Sequence, residues 1–306
     1  MRSPLDRGGQ PFIGPAAPPI GQGRRRHAAQ FGFCLPAMTA ATARPLRQRS
    51  AWEIQRAVLF AIVLRELRTR LGRHWSGIVW TVFEPLAHVL VILLVFGYLR
   101  NIASSVMEFP VFLVSGLMPF FLFRNLSQRL TDAIESNRGL FSYRQVKPLD
   151  TVVARGAVEG LIWIAVFALT LAILQWMGFR ALPRQPLQLF GVAALTALLG
   201  AGLGLLLAVL TQGRPRLRTA VRMMYMPLYI LSGVIWNVDR LPATWFDWLA
   251  WNPMLHLVDL SRNAFEPLHP LHAGLGWAFP ASFALVVLAL ALALYQRDRQ
   301  KLLMSR

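Results

Sequence analysis

Hydrophobic stretches long enough to cross a membrane alternate with polar segments along most of this 306-residue chain. Residues 160–179, 187–210 and 274–295 contain no charged side chain, and residues 78–99 contain only Glu84. Each stretch has about the 20 residues that an α-helix needs to cross roughly 30 Å of hydrocarbon. The pattern therefore predicts four membrane-spanning helices in these positions.

Two shorter apolar stretches, residues 109–123 and 223–238, contain Pro119 and Pro227. Because proline removes a helix hydrogen bond, we interpret them as spans that are broken or that extend into their polar flanks. Residues 241–265 are too polar to span and too apolar for a free loop. They predict one or two short re-entrant helices before the last span. The predicted fold is an all-α integral membrane protein with six transmembrane helices.

Arginine and lysine are concentrated in alternate connections. Residues 65–73, 124–155, 214–222 and 297–306 are rich in cations, whereas the other connections carry few and mix them with acids. The positive-inside rule therefore predicts that both termini are cytoplasmic. The net charge of +18 is explained by these segments, which face anionic lipid. We expect no nucleic-acid partner, although a soluble domain of this charge would indicate one.

Three regions differ in composition. Residues 1–50 are rich in proline, glycine and arginine without any period, which predicts a disordered tail. Alternatively Met38 is the true start codon, and residues 1–37 are not translated. Residues 51–73 hold a short apolar run between basic residues, with Trp52 at one end, and predict an amphipathic helix at the membrane interface. The sequence leaves two alternatives open: the helix only anchors the chain to the membrane, or its charged side also binds a cytoplasmic partner. Residues 74–306 form the six-helix membrane domain.

Polar groups at membrane depth form a further pattern. Glu84 and His88 are one helical turn apart, Arg155 and Glu159 are four residues apart, and Arg222 opens the fifth span. Since a charge within the bilayer needs a partner, we predict that these five residues form an intramembrane polar cluster in the cytoplasmic leaflet. A role in joining helices and a role in substrate handling both remain open.

The sequence offers little chemistry of its own. One cysteine excludes a disulfide framework, and the absence of a GxxxxGK[ST] loop excludes nucleotide hydrolysis by that route. His269 and His272 lack a third ligand, so we predict no metal site. A membrane-embedded glycan-transferring enzyme would need carboxylates or a metal at a loop, and a secondary transporter would need inverted repeats. Neither pattern is present. The acidic residues outside the predicted spans do not have the spacing of metal ligands; they are Asp239, Asp247, Asp259 and Glu266.

The connection between the second and third spans is a candidate contact surface. Residues 131–141 predict a short helix that ends at Gly139, and Pro148 then disfavours helix at the residue before it. Leu140, Phe141 and Tyr143 would form a small apolar knob in the cytosol. An exposed apolar surface of this kind usually binds a partner protein. The alternative is an ordinary loop that packs on the membrane helices.

Short motifs follow one another in a fixed order from residue 51 to the C-terminus. They are LRELRTRLG (64–72), FEP (83–85), FGY (96–98), FPVFL (109–113), GLMPFF (116–121), GLFSYR (139–144), VKPLDT (146–151), AR (154–155), WNPMLH (251–256) and LSR (260–262). This series resembles the permease subunit of capsular-polysaccharide ABC exporters, within the type-2 ABC exporter permease superfamily. Residues 1–50 lie outside the resemblance.

The resemblance implies a transporter of two permease copies and two separate ATPase subunits. ATP and magnesium would bind the ATPase subunits, so this chain would be a transport subunit without a cofactor or enzymatic activity. Lipid-linked capsular polysaccharide would cross a bacterial inner membrane between the two permeases, and periplasmic and outer-membrane proteins would carry it onward. Permeases of the same fold that export O-antigen, teichoic acid or drugs are the alternative.

Two sets of functional residues go with this resemblance: the first is implied by it, and the second is our own hypothesis. One set would couple the chain to its ATPase: Glu135, Asn137, Gly139, Leu140, Phe141 and Tyr143, with Arg65 and Arg68 of the interface helix. The other set, our hypothesis for the channel lining, comprises aromatic residues of the first and fifth spans: Trp80, Phe83, Tyr98, Tyr225, Tyr229 and Trp236.

Overall fold

The structure is a computed structural model. It describes residues 50–71, 79, 83, 86–91, 94–95, 107–143, 145–238, 242–269 and 271–304. Within these ranges every regular element is a helix, so the predicted all-α class is confirmed for the described part of the chain. The described residues belong to one compact unit, Arg49–Arg306. The predicted division into residues 1–50, 51–73 and 74–306 stays a prediction.

Nine α-helices and one 3₁₀ helix have defined bounds in these ranges. The α-helices are α1 (Ala51–Leu71), α2 (Phe109–Thr131), α3 (Ala133–Ser136), α4 (Pro148–Trp176), α5 (Pro186–Leu210), α6 (Pro215–Leu231), α7 (Ala243–Leu249), α8 (Pro253–Phe265) and α9 (Ala278–Met304). The 3₁₀ helix is Arg138–Ser142. Proline occupies the first position of α4, α5, α6 and α8, where its missing N–H costs no hydrogen bond.

Four helices, α2, α4, α5 and α9, are long and apolar enough to cross a membrane in the described part of the chain. The described part of the chain is therefore all-α and has the helices of an integral membrane protein. Most of the predicted span 78–99 lies outside the described residues, although residues 86–91 are helical. With 17 residues, α6 is shorter than a usual span. The count of six spans and the cytoplasmic position of both termini stay predictions.

Both stretches that contain an internal proline extend into polar flanks. Helix α2 continues through Pro119 as far as Thr131, eight residues beyond the apolar run. Helix α6 begins at Pro215, ahead of its apolar run, and continues through Pro227. Helix α2 is therefore the extended alternative rather than the broken one. Helix α6 is extended at its N-terminal side but ends at Leu231, seven residues before the end of the predicted stretch.

Helix α2 lies at the centre of the bundle and packs against α4, α5 and α8. In the most apolar part of α2, 78% of the residues are buried. The corresponding share is 28% in α4, 44% in α5 and 28% in α9. Glycines allow α5 to approach closely: Gly200 and Gly204 face α2, and Gly202 faces α9. Small residues four apart thus bring helix backbones together, as is common in membranes.

The bundle has two distinct ends. One end is here named the α3 end. It holds α1 and α3, the N-termini of α4 and α6, and the C-termini of α5 and α9. The opposite α7 end holds the two short helices α7 and α8. Residues 242–265 thus form two short helices, and most of α8 is buried. That these helices enter the membrane stays a prediction.

Candidate functional site at the α3 end

The predicted contact segment consists of two short helices. Helix α3 ends at Ser136, so the expected helix end at Gly139 is wrong: Gly139 is the second residue of the 3₁₀ helix. The junction is formed by Asn137, which is buried. Its Nδ2 donates to the carbonyl of Ala133 (2.9 Å), and its Oδ1 accepts from Nη1 of Arg65 in α1 (3.1 Å). Because one side chain bonds both α3 and α1, it fixes this segment against the rest of the protein.

Only part of the predicted coupling set faces outward. The side chain of Tyr143 is 66% exposed, and Gly139 is exposed beside it. Leu140 and Phe141 are half-buried, and Phe141 packs against the apolar cluster at this end of the bundle. Arg68 of α1 is exposed. The structure thus offers Tyr143 and Gly139 as an outer surface.

Ion pairs join α3 to α6. The guanidinium of Arg218 binds the carboxylate of Glu135, and its Nε lies 3.6 Å from Oδ1 of Asp132. Arg222 donates to Oδ2 of Asp132. We name these four residues the α3–α6 ion-pair group. Neither Asp132 nor Arg218 was predicted from the sequence, although cations four residues apart, at Arg214, Arg218 and Arg222, mark one side of a helix.

The predicted intramembrane polar cluster does not form as one group. Arg155 of α4 binds Glu66 of α1, with 2.5 Å between Nε and Oε1. Glu159 lies 3.7 Å from Arg70 and 3.9 Å from Arg129. The expected grouping is therefore wrong for Arg222, which belongs to the α3–α6 ion-pair group instead. The physical reason is that α1 supplies charges to α4 directly; Glu84 lies outside the described residues.

The aromatic residues predicted to line a channel have different surroundings. Tyr225 and Tyr229 are buried against α2: the two hydroxyl oxygens of Tyr225 and Ser127 are 2.7 Å apart, and the rings of Tyr229 and Phe120 are 5.1 Å apart. The Nε1 of Trp236 donates to the carbonyl of Ile230 (2.8 Å). Phe83 is exposed. Trp80 and Tyr98 lie outside the described residues.

A cavity of about 360 Å³ is lined by residues of both α2 and α6. Both tyrosines line it, together with His88, whose ring lies 5.0 Å from Phe121 and 6.4 Å from Tyr229. The lining also contains Arg124 and Arg222, so it combines aromatic rings with cations. Such a surface can contact both the apolar faces and the polar groups of a sugar. Whether a channel runs here stays a prediction.

A second cavity of about 170 Å³ lies among α1, α2 and α4. Its lining includes the ion pairs of Glu159 with Arg70 and Arg129, and Trp163 closes one side. The Nε1 of Trp163 donates to the carbonyl of Met118 (3.1 Å), which accepts there just before Pro119. Within the described ranges, no three His, Cys, Asp or Glu side chains are placed to hold a metal ion.

Comparison with known proteins identifies the family. The profile of ABC-2 type transporters matches residues 57–265, which is more than half of the chain. The polysialic acid transport protein KpsM of Escherichia coli is 38% identical over 257 residues, covering 84% of this chain and 99% of that protein.

Two capsule polysaccharide export inner-membrane proteins are also similar. CtrC of Neisseria meningitidis serogroup B is 29% identical over 226 residues, covering 72% of this chain and 84% of that protein. BexB of Haemophilus influenzae is 27% identical over 240 residues, covering 78% of this chain and 91% of that protein. The chain belongs to the ABC-2 type transporter family of permeases.

Proposed function

We propose that this chain is the permease subunit of an ATP-driven exporter that moves lipid-linked capsular polysaccharide out of the cytoplasm across a bacterial inner membrane. The observation that carries the proposal is the 38% identity to KpsM along 99% of that protein. Similarity to CtrC and BexB, both named for capsule export, supports the same cargo class.

The proposed topology has six transmembrane helices with both termini in the cytoplasm. The cations support it, because Arg129, Arg155, Arg218 and Arg222 all lie at the α3 end. In this orientation α1 lies at the cytoplasmic interface. Its Trp52 and Phe60 are 74% and 68% exposed, which is suited to contact with lipid. Helices α7 and α8 would then enter the membrane from the periplasmic side, shielded by their neighbours.

The segment from α3 through the 3₁₀ helix would receive the ATPase, which supplies ATP and magnesium. Support comes from its position: it follows the end of α2, carries exposed Tyr143, and is fixed from within by Asn137. Two ATPase subunits would bind two copies of this chain. The polysaccharide would pass between the copies along α6, near Tyr225 and Tyr229, and periplasmic and outer-membrane export proteins would receive it.

Gene deletion and complementation in the native host test the cargo. We expect loss of surface capsule together with accumulation of lipid-linked polymer inside the cell, and recovery of capsule with the intact gene. Loss of surface O-antigen with capsule intact would assign the chain to a permease of the same fold for another cargo. Absence of polymer on both sides of the membrane would contradict export and favour a glycan-transferring enzyme.

Co-purification with the cognate ATPase tests the contact. Tyr143→Glu adds a charge to the exposed ring position and should abolish the complex, whereas Tyr143→Phe keeps the ring and should retain it. Both variants should express equally, because the side chain is mostly outside the packed bundle. Retention of the ATPase by Tyr143→Glu would contradict the proposed contact surface.

A further inference from the structure

We propose that Arg218 and Asp132 are positioning residues that link the movement of α3 to the movement of α6. The inference rests on the proposed function, in which the ATPase acts on α3 and the polysaccharide passes along α6. It assigns a role to two residues outside the predicted coupling set, and it makes Glu135 part of an internal link rather than of the ATPase contact.

The contacts of α3 place it between two helices. Arg218 of α6 binds Glu135 and approaches Asp132, and Arg222 one turn further binds Asp132 from the same side. Directly after α3, Oδ1 of Asn137 accepts from Arg65 of α1. A displacement of α3 therefore acts directly on the first turns of α6.

Among the described elements, α6 packs mainly on α2, through Tyr225 and Tyr229, and over a smaller surface than α5 or α8 does. Next to these two tyrosines it carries Met223, Met224 and Met226, each more than 60% exposed. A helix with fewer packing contacts moves at a lower free-energy cost than one that is buried along its length. The ion pairs at its N-terminus are then its main polar connection to the rest of the bundle at the α3 end.

By contrast, α1 is fixed to α4. Glu66 binds Arg155, and Nε2 of Gln55 donates to Oδ1 of Asp150 at 2.6 Å. Asp150 in turn accepts from the backbone N–H of Lys147 at the start of α4. Force applied to α3 would thus meet a rigid neighbour in α1 and α4 and a movable one in α6. The geometry directs the displacement toward the helix that bears Tyr225 and Tyr229.

Partly exposed ion pairs contribute little to folding stability, because water and salt screen them. The side chains of Arg218 and Glu135 are 16% and 38% exposed. Removing the pair should therefore leave the fold and the ATPase complex intact and affect only the link between them. An intact fold and an intact ATPase complex together with impaired export would indicate a positioning role rather than a structural one.

The test compares three variants in cells and in the purified complex with the ATPase. Arg218→Gln should retain the complex and its ATP hydrolysis but lower surface capsule about tenfold, the size of a typical coupling between two sites. Arg218→Lys keeps the charge and should restore most of the export. Arg216→Gln is the matched control, since Arg216 is an exposed cation on the same helix with no ion pair in the described part.

Normal capsule in Arg218→Gln would overturn the proposal. Loss of the ATPase complex in that variant would overturn it as well, because the pair would then be a structural contact. The proposed function fails in a different way: there, deletion of the whole gene leaves capsule unchanged, or Tyr143→Glu and wild type bind the ATPase equally. The two failures are therefore distinguishable in the same set of strains.

Discussion

The guanidinium of Arg262 lies 3.8 Å from the centre of the Phe112 ring, between α8 and the central helix α2. Arg262 is fully buried, and its Nη2 donates to the carbonyls of Gly233 (2.7 Å) and Val234 (2.9 Å), just beyond the end of α6. Gly116 makes room on α2, where a Cβ would lie 3.1 Å from Nη2. One arginine thus joins α2, α8 and the turn after α6 at the α7 end.

Arg262→Met should destabilise the protein. It leaves two buried carbonyls without their donor, at a cost of about 1–3 kcal/mol for each unsatisfied group. Thermal unfolding of the purified protein in detergent measures the effect as a lower Tm. The control is Arg184→Met, which removes a half-exposed cation 2.9 Å from Glu266. It should cost less than about 1 kcal/mol. Equal melting of Arg262→Met and the parent protein would contradict the assigned role.

Gly204→Ala should also lower the Tm, because α5 and α2 are in close contact. A Cβ at Gly204 would lie 2.7 Å from Cβ of Leu130 and 2.9 Å from the carbonyl oxygen of Ser127, so the helices would have to separate. Gly160→Ala is the matched control in α4, since its Cβ would meet nothing within 4 Å. Alanine is about 1 kcal/mol better than glycine in a helix, so the control should be neutral or stabilising. An unchanged Tm for both would argue against close packing of α5 on α2.

The apolar runs predicted the long helices well. Residues 187–210 became α5 almost unchanged, and the short helices α7 and α8 fall within the segment predicted to be re-entrant. For the long helices, length and the absence of charge are sufficient, because hydrocarbon admits few alternatives to helix. The sequence left open whether the apolar run is broken at Pro119 or extends into its polar flank. The helix continues to Thr131 because Pro119 disturbs only the local hydrogen bonds.

The charge partners were less predictable. Spacing placed Arg155 and Glu159 on one side of α4, but their partners Glu66 and Arg70 come from α1, almost 90 residues earlier. Such a pair depends on how two helices are rotated against each other. The hydrophobic period of a single helix carries no information about that rotation. The same reason explains why Arg218 was missed: its partners follow the end of α2, and a cation at the start of a span has many possible neighbours.

Tyr225 and Tyr229 should respond differently to loss of the hydroxyl group. Tyr225→Phe removes the hydrogen bond to Ser127 and should cost about 1 kcal/mol, seen as a lower Tm. Tyr229→Phe should be neutral or stabilising, because this buried hydroxyl has no hydrogen-bond partner in the described part. Both variants keep the ring.

Capsule export by these two variants tests whether the hydroxyl groups themselves bind cargo, a question that alanine variants cannot isolate. Alanine would also open a cavity against Phe120 and so destabilise the packing of α6 on α2. If the rings contact the polysaccharide, both phenylalanine variants should export normally once their expression is matched. Loss of export in Tyr229→Phe at normal stability would instead assign the hydroxyl itself to cargo binding.

The pair of Glu66 and Arg155 should behave as a partly buried ion pair. The two side chains are 16% and 15% exposed, and Nη1 of Arg155 also donates to the carbonyl of Arg129 at 3.3 Å. Removing one partner leaves a desolvated charge alone, whereas removing both leaves none. We therefore expect Glu66→Gln and Arg155→Gln to destabilise the protein individually, and the double variant to be more stable than the sum of the two losses predicts.

A double-mutant cycle measures this coupling, with tryptic release of α1 as a local readout beside the Tm. Arg56 and Arg68 are exposed on α1 and provide cleavage sites. Each single variant should accelerate cleavage, and the coupling energy should fall between about 0.5 and 3 kcal/mol, the range for residues in direct contact. Strict additivity would mean that α1 is held on α4 mainly by its apolar residues, such as buried Ile62, rather than by charge.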